Sequence, residues 1–154
     1  MGIDEKIIRN LIRAAKGKLA DSYAPYSKFH VAAALLASDG TIYTGINIEN
    51  ASYGLCNCAE RTAIFSAVEK GVKDFTAICI MGAPEEEVQS IISGGAAKDY
   101  CPPCGACRQV MSEFCTDSFE ILMITSADPV RYETCRLPEL LPFRFSPDYL
   151  ENKG

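Results

Sequence analysis

Two cysteine motifs, well separated in the chain, make chemical sense only if the fold brings them together. Cys58-Ala59-Glu60-Arg61 begins one apolar helical run, and Pro103-Cys104-Gly105-Ala106-Cys107-Arg108 begins another. Cys58, Cys104 and Cys107 offer three thiolates, one fewer than a structural zinc site uses to close its tetrahedron. Catalytic zinc sites keep that last position for water. Glu60 stands two residues past the first thiolate, near enough to handle a proton of that water. The pattern reads as a hydrolytic zinc centre, and it obliges two helix starts to lie side by side.

The totals set the frame. A chain of 154 residues, 48% hydrophobic and 23% charged, is most simply one domain, residues 1–154, around one core. A net charge of −5 opposes a surface built to hold phosphate backbones, so no nucleic-acid partner is expected. No apolar run approaches the ~18 residues that cross a bilayer, and the first residues carry neither a signal-peptide core nor a myristoylation pattern. A cytoplasmic protein without membrane contact is expected. Eight cysteines in such a chain point to metal or core use rather than to a disulfide framework. Cys79, Cys115 and Cys135 fall in or beside apolar runs and read as core, whereas Cys56 and Cys101 flank the motifs and compete for a fourth zinc position.

Along the chain, Asp4 is placed to cap a helix whose apolar stripe runs Ile7, Ile8, Leu11, Ile12, Ala15, Leu19. Residues 30–37 suit a strand buried on both faces, Asp39-Gly40 a hairpin turn, and 41–48 the returning strand. A helix is expected from Cys58 to Gly71, a buried strand over 75–81, a second helix over 104–115, a strand over 119–125 and a short helix over 137–141. Residues 83–101 read as an excursion holding one short helix, and the end of the chain as a polar tail. Strands alternating with helices imply an α/β layered fold, with a hairpin at one end and parallel pairing afterwards.

Both metal motifs fall at expected helix starts, where the positive end of the helix dipole favours thiolate over thiol. Three thiolates around a divalent ion leave one negative charge, and Arg61 and Arg108 are each placed one residue past a motif member to offset it. Glu60 has a plain reading, an exposed acid complementing the dipole of a first turn, beside the chemical one as proton shuttle. A closed structural zinc module, with Cys56 or Cys101 as fourth ligand, is the rival of another class. It leaves Glu60 without a purpose.

The residues 58–63 and 103–110 resemble the signatures of the small tetrameric cytidine deaminases. The likeness extends to Pro25-Tyr26-Ser27-Lys28-Phe29, to Asn47-Ile48-Glu49-Asn50-Ala51-Ser52-Tyr53, and to Glu139-Leu140-Leu141-Pro142 with Phe145-Ser146-Pro147. It implies a three-layer αβα sandwich on a mixed five-stranded sheet, a resident Zn²⁺ on Cys58, Cys104 and Cys107, and Glu60 as the catalytic proton carrier. The implied reaction is hydrolytic deamination of cytidine and deoxycytidine in pyrimidine salvage. Asn47 and Glu49 would hold the ribose, Phe29 and Phe145 would pack against the pyrimidine, and Ala59 and the Pro102 carbonyl would complete the pocket. Phe145, Ala51 and Tyr53 would reach a neighbour's site in a homotetramer with shared active sites. Within the same superfamily, blasticidin S is an alternative substrate and a polynucleotide a more distant one. The sequence departs from the family pattern at Ala32, usually Gly, at Pro102, usually Ser, and in the length of the 83–101 excursion. His30, the single histidine, lies outside both motifs and is not needed as a ligand.

Overall fold

Asp4 opens the first helix as expected. Its carboxylate accepts from the Lys6 N–H at 2.8 Å and caps α1 (Glu5–Lys18). Ile8, Leu11, Ile12 and Ala15 turn into the core, whereas Ile7 lies at the edge of the stripe and is partly exposed. In the computed structural model, which describes residues 2–151, the chain continues through β1 (Phe29–Ala37), β2 (Ile42–Ile46), α2 (Ala59–Glu69), β3 (Phe75–Pro84) and α3 (Glu85–Ile92). It ends with α4 (Gly105–Phe114), β4 (Glu120–Ala127), β5 (Val130–Arg136) and α5 (Leu137–Leu140).

The strands form one five-stranded sheet in the order β2-β1-β3-β4-β5. The hairpin β1–β2 is antiparallel, as its turn signal predicts. Parallel pairing throughout the remainder is not what forms. β1 and β3 are antiparallel, β3 and β4 are the parallel pair, and β4 and β5 close the sheet antiparallel. The reason lies in where each crossover lands: α2 returns the chain in the sense of β2 but carries it past β1, so β3 pairs antiparallel with β1, whereas the connection through α3 and α4 sets β4 directly beside β3 in the same sense. β2 also stops at Ile46, and Ile48 makes only isolated pairings with Tyr23 and Asn57.

The two faces of the sheet divide the core by strand alternation. Ala32, Ala34, Leu36, Cys79, Met81, Ala83, Leu122 and Ile124 face α1 and α3. Ala33, Leu35, Ile78, Ile80 and Ile121 face α2 and α4. The result is a layer of helix on each side of a mixed sheet, the expected three-layer sandwich. Alanine at three successive positions of β1, Ala32 to Ala34, lets both helical layers approach this interior strand closely. Among the described residues no helix is long and apolar enough to cross a membrane.

The excursion is ordered. β3 continues to Pro84, three residues past the expected end, and α3 follows at once, burying Val88 and Ile91 against α1. The chain then crosses back, with the Ala97 N–H donating to the Thr125 carbonyl at 2.8 Å, and arrives at the second cysteine motif.

Candidate active site

α2 and α4 lie on the same face of the sheet and touch, so their N-termini point into one place. Cys58 and Cys104 stand immediately before the first residues of these helices, and Cys107 occupies the first turn of α4. A glycine fixes the first of them. A Cβ on Gly45 of β2 would come within 2.3 Å of the Ala59 carbonyl oxygen and 2.4 Å of the Ala63 nitrogen. The first turn of α2 therefore rests on bare strand backbone.

The three sulfurs converge. Cys58 Sγ is 3.6 Å from Cys104 Sγ, which is 3.5 Å from Cys107 Sγ, and all three lie within 4.8 Å of one another. Sulfurs bound at about 2.3 Å around a tetrahedral zinc stand about 3.8 Å apart, so the cluster is close to the spacing such an ion requires. Neither Cys56 nor Cys101 joins it. Cys56 Sγ is engaged with the Asn50 backbone, accepting its N–H at 3.3 Å.

Electrostatics follow the donors. The Cys58 thiol is pulled down to about 5, first by the hydrogen bond it receives from Cys107 and then by Arg61 and Cys104. Cys107, the donor of that pair, moves up in consequence. Arg61 Nη2 donates to Cys58 Sγ at 3.4 Å, which is where a positive charge offsets three thiolates. Arg108 does something else. Its Nε and Nη1 donate to the carbonyls of Pro103 and Leu140, both at 2.8 Å, so it pins the motif's proline to α5 rather than serving the sulfurs.

Glu60 is not the exposed acid of the plain reading. It is 3% exposed, and its Oε2 lies 3.7 Å from Cys107 Sγ. Burial, with the Cys58 charge adding to it, pushes its carboxyl up to about 7. A carboxyl poised at neutrality can both take and return a proton there.

The loops around this centre are tied to one another. Asn47 spends its side chain on protein: Nδ2 donates to the Phe29 carbonyl at 2.8 Å, and Oδ1 accepts from the Val31 N–H at 2.9 Å and from the Ser22 hydroxyl. Glu49 Oε1 accepts from the amides of Tyr26 and Ser27, both at 3.0 Å; the Ser27 side chain first, and then these amides, hold its carboxyl below the usual carboxylate range. Glu49 and Tyr53 line a hollow of about 270 Å³ with Tyr26, Ser27 and Cys56. The Tyr26 and Tyr53 rings meet edge to face at 5.7 Å. Phe29 stands half-exposed at the start of β1, and Ala59 is fully buried. Pro102 and Ala51 are exposed.

Phe145 is not brought to the cysteines of its own chain. Its carbonyl accepts from Gln109 Nε2 at 2.9 Å, and its ring stacks on Tyr149 at 5.6 Å, outside α4. His30 is buried in β1, with Nδ1 3.3 Å from the Leu19 carbonyl and Nε2 3.5 Å from Glu85, away from the sulfurs.

The comparisons with known proteins agree with this centre. A family model described as the cytidine and deoxycytidylate deaminase zinc-binding region matches residues 5–123. The chain belongs to this deaminase family. A cytidine deaminase of Sporosarcina psychrophila is 43% identical over 93% of this chain and 94% of its own length. A blasticidin-S deaminase of Bacillus cereus is 30% identical over 88% and 90% of the two chains. A crystal structure of cytidine deaminase from Burkholderia pseudomallei covers 93% of this chain and all of its own, with 40% identity and a TM-score of 0.75.

Several residues that shape this deaminase centre escape a reading of motifs. Gly45 is one, although a glycine inside a strand pattern is itself a sign of close backbone approach. The Tyr26 and Ser27 amides that hold Glu49 leave no sign in sequence, because a backbone donor is common to every residue but proline.

Proposed function

We propose that this protein hydrolyses cytidine and deoxycytidine to uridine and deoxyuridine, releasing ammonia, as part of pyrimidine salvage in the cytoplasm. The observation that carries the reading is the buried Glu60 carboxyl beside three converging thiolates at two helix N-termini. Cys58, Cys104 and Cys107 hold the zinc, and all three lie close enough to do so. Zinc, when held there, supplies a Lewis acid that makes hydroxide available at neutral pH.

Glu60 takes one proton from the attacking water and delivers it to the ring nitrogen, then takes the second from the hydroxyl left on the ring carbon and delivers it to the departing nitrogen, a shuttle suited to a carboxyl buried beside the sulfurs. Arg61 offsets the charge of the thiolates through Cys58. Asn47 and Glu49 orient the ribose: Asn47 fixes the entry of β1, and Glu49 has one carboxylate oxygen beyond the one that holds the Tyr26–Ser27 turn. Phe29 packs on the base, with Ala59 and the Pro102 carbonyl completing the pocket. Phe145, Ala51 and Tyr53 serve a neighbouring subunit in a homotetramer. Their exposure supports this, with Tyr53 72% and Phe145 56% accessible in the isolated chain.

Blasticidin S is the less favoured substrate, since the deaminase named for it is 30% identical where a cytidine deaminase is 43%. The deciding experiment follows cytidine loss by ultraviolet absorbance, with blasticidin S in parallel. Wild type is expected to turn over cytidine until a chelator removes the metal. Glu60→Gln should keep one zinc per chain and lose about 10²–10⁴-fold in kcat, the scale of a general acid–base contribution. Wild-type turnover in the Gln variant would remove the mechanism.

A further inference from the structure

The 83–101 segment closes on Phe29 from both of its ends. At its start, the Glu85 N–H donates to the Lys28 carbonyl at 2.8 Å, and Lys28 itself sits in the left-handed region at φ 56°, the turn that delivers Phe29 to β1. At its end, Cys101 lies on Gly82 of β3. A Cβ added to Gly82 would stand 2.7 Å from Cys101 Sγ, 2.9 Å from Cys101 Cβ and 3.1 Å from Phe29 Cε1. Gly82 pairs with Val31, and Phe29 pairs with Pro84 two residues further along β3, so Gly82 and Phe29 are diagonal neighbours on one face of the sheet. That face is the one covered by α2 and α4, against which Cys101 also packs. Three groups from three parts of the chain therefore share a space with no room for one more carbon.

We propose that Gly82 and Cys101 are positioning residues for the substrate base: they set where the Phe29 ring stands, and the excursion exists in part to hold Cys101 there. This rests on the reading above, in which Phe29 packs on the pyrimidine. Gly82 supplies the space, and the Cys101 side chain fills it from above and stops the ring on one side. Neither belongs to the group of three converging sulfurs, so their effect should fall on substrate affinity and not on the metal.

The test is steady-state kinetics on cytidine with the zinc-loaded protein, reading KM and kcat separately together with zinc per chain. Gly82→Ala is expected to raise KM about tenfold, the equivalent of about 1.4 kcal/mol, with kcat and zinc content close to wild type. Adding Cys101→Gly to Gly82→Ala removes both cysteine atoms in the clash and leaves the new methyl to stop the ring in place of the Cys101 side chain, so most of the KM should be recovered. Cys101→Ala alone, which is sterically mild, tests the same contact if Gly82→Ala folds poorly: the ring loses its stop, and KM rises with kcat unchanged. Phe29→Ala separates the two readings. If it leaves KM unmoved, the assignment of Phe29 to the base fails. If it raises KM while Gly82→Ala and Cys101→Ala do not, or if the second substitution brings no recovery, the positioning role is overturned.

Discussion

Glu49 shows how much a single side chain can be asked to do. One carboxylate oxygen gathers the amides of Tyr26 and Ser27, and this ties the turn before β1 to the segment that follows β2. Hydrogen bonds to the charged form hold its carboxyl below the model-compound value of 4.5. A depressed carboxyl stabilises at pH above the unfolded value, and that contribution is lost as pH falls through the folded one. The amides of Tyr26 and Ser27 should therefore keep hydrogen-exchange protection at neutral pH and lose it on acidification below 4.5, ahead of those in β3. Equal protection at both ends of that range would mean the carboxylate does not hold the turn. Arg61 and Arg108 make the complementary point. Both follow a motif member by one residue, yet one reaches a sulfur and the other two carbonyls, a choice set by where α5 lies.

At the scale of elements, the position of α2 depends on an atom that is missing. With the Ala59 carbonyl and Ala63 nitrogen at 2.3 and 2.4 Å from a would-be Cβ, Gly45→Ala must push the helix start off β2. Overpacking of this kind costs about 1–3 kcal/mol, and a clash against backbone belongs at the upper end. The expected outcome is a lowered denaturant midpoint together with weaker zinc retention, because Cys58 and Glu60 ride on the displaced turn. Unchanged stability and unchanged metal retention would refute the anchoring. Helices with a clear apolar stripe, such as α1, were legible from periodicity, and so was the doubly buried β1. β5 was not read as a strand: Val130, Tyr132 and Thr134 do alternate with Arg131 and Glu133, but the run is short and mostly exposed, so no apolar core face marks it. As an edge strand it is held by pairing with β4, which is a tertiary circumstance.

For the whole molecule, the apolar surface left uncovered is the informative quantity. Phe143 projects fully into solvent, and Phe145, Tyr149, Leu150, Tyr53 and Leu55 are each more than half exposed. Exposed aromatic groups in such number are what an interface covers. If Phe145 completes a neighbour's site, Glu60→Gln and Phe145→Ala should each be nearly inactive alone. Co-expressed, they should form mixed assemblies several-fold more active than either, since some sites then combine an intact Glu60 with an intact Phe145. Light scattering should show a tetramer, and a monomer with full activity would exclude shared sites.

The residues themselves carried the chemistry. Three thiolates and a glutamate at those spacings, placed at helix starts, pointed to the zinc centre because ligand type and helix dipole are properties of short segments. Tertiary structure decided what depends on distance across the chain. It removed Glu60 from water and raised it to about 7, turned Arg108 away from the sulfurs, reversed the sense of β1 against β3, and set Cys101 on Gly82. Burial and close contact are relations between segments, and no local pattern contains them.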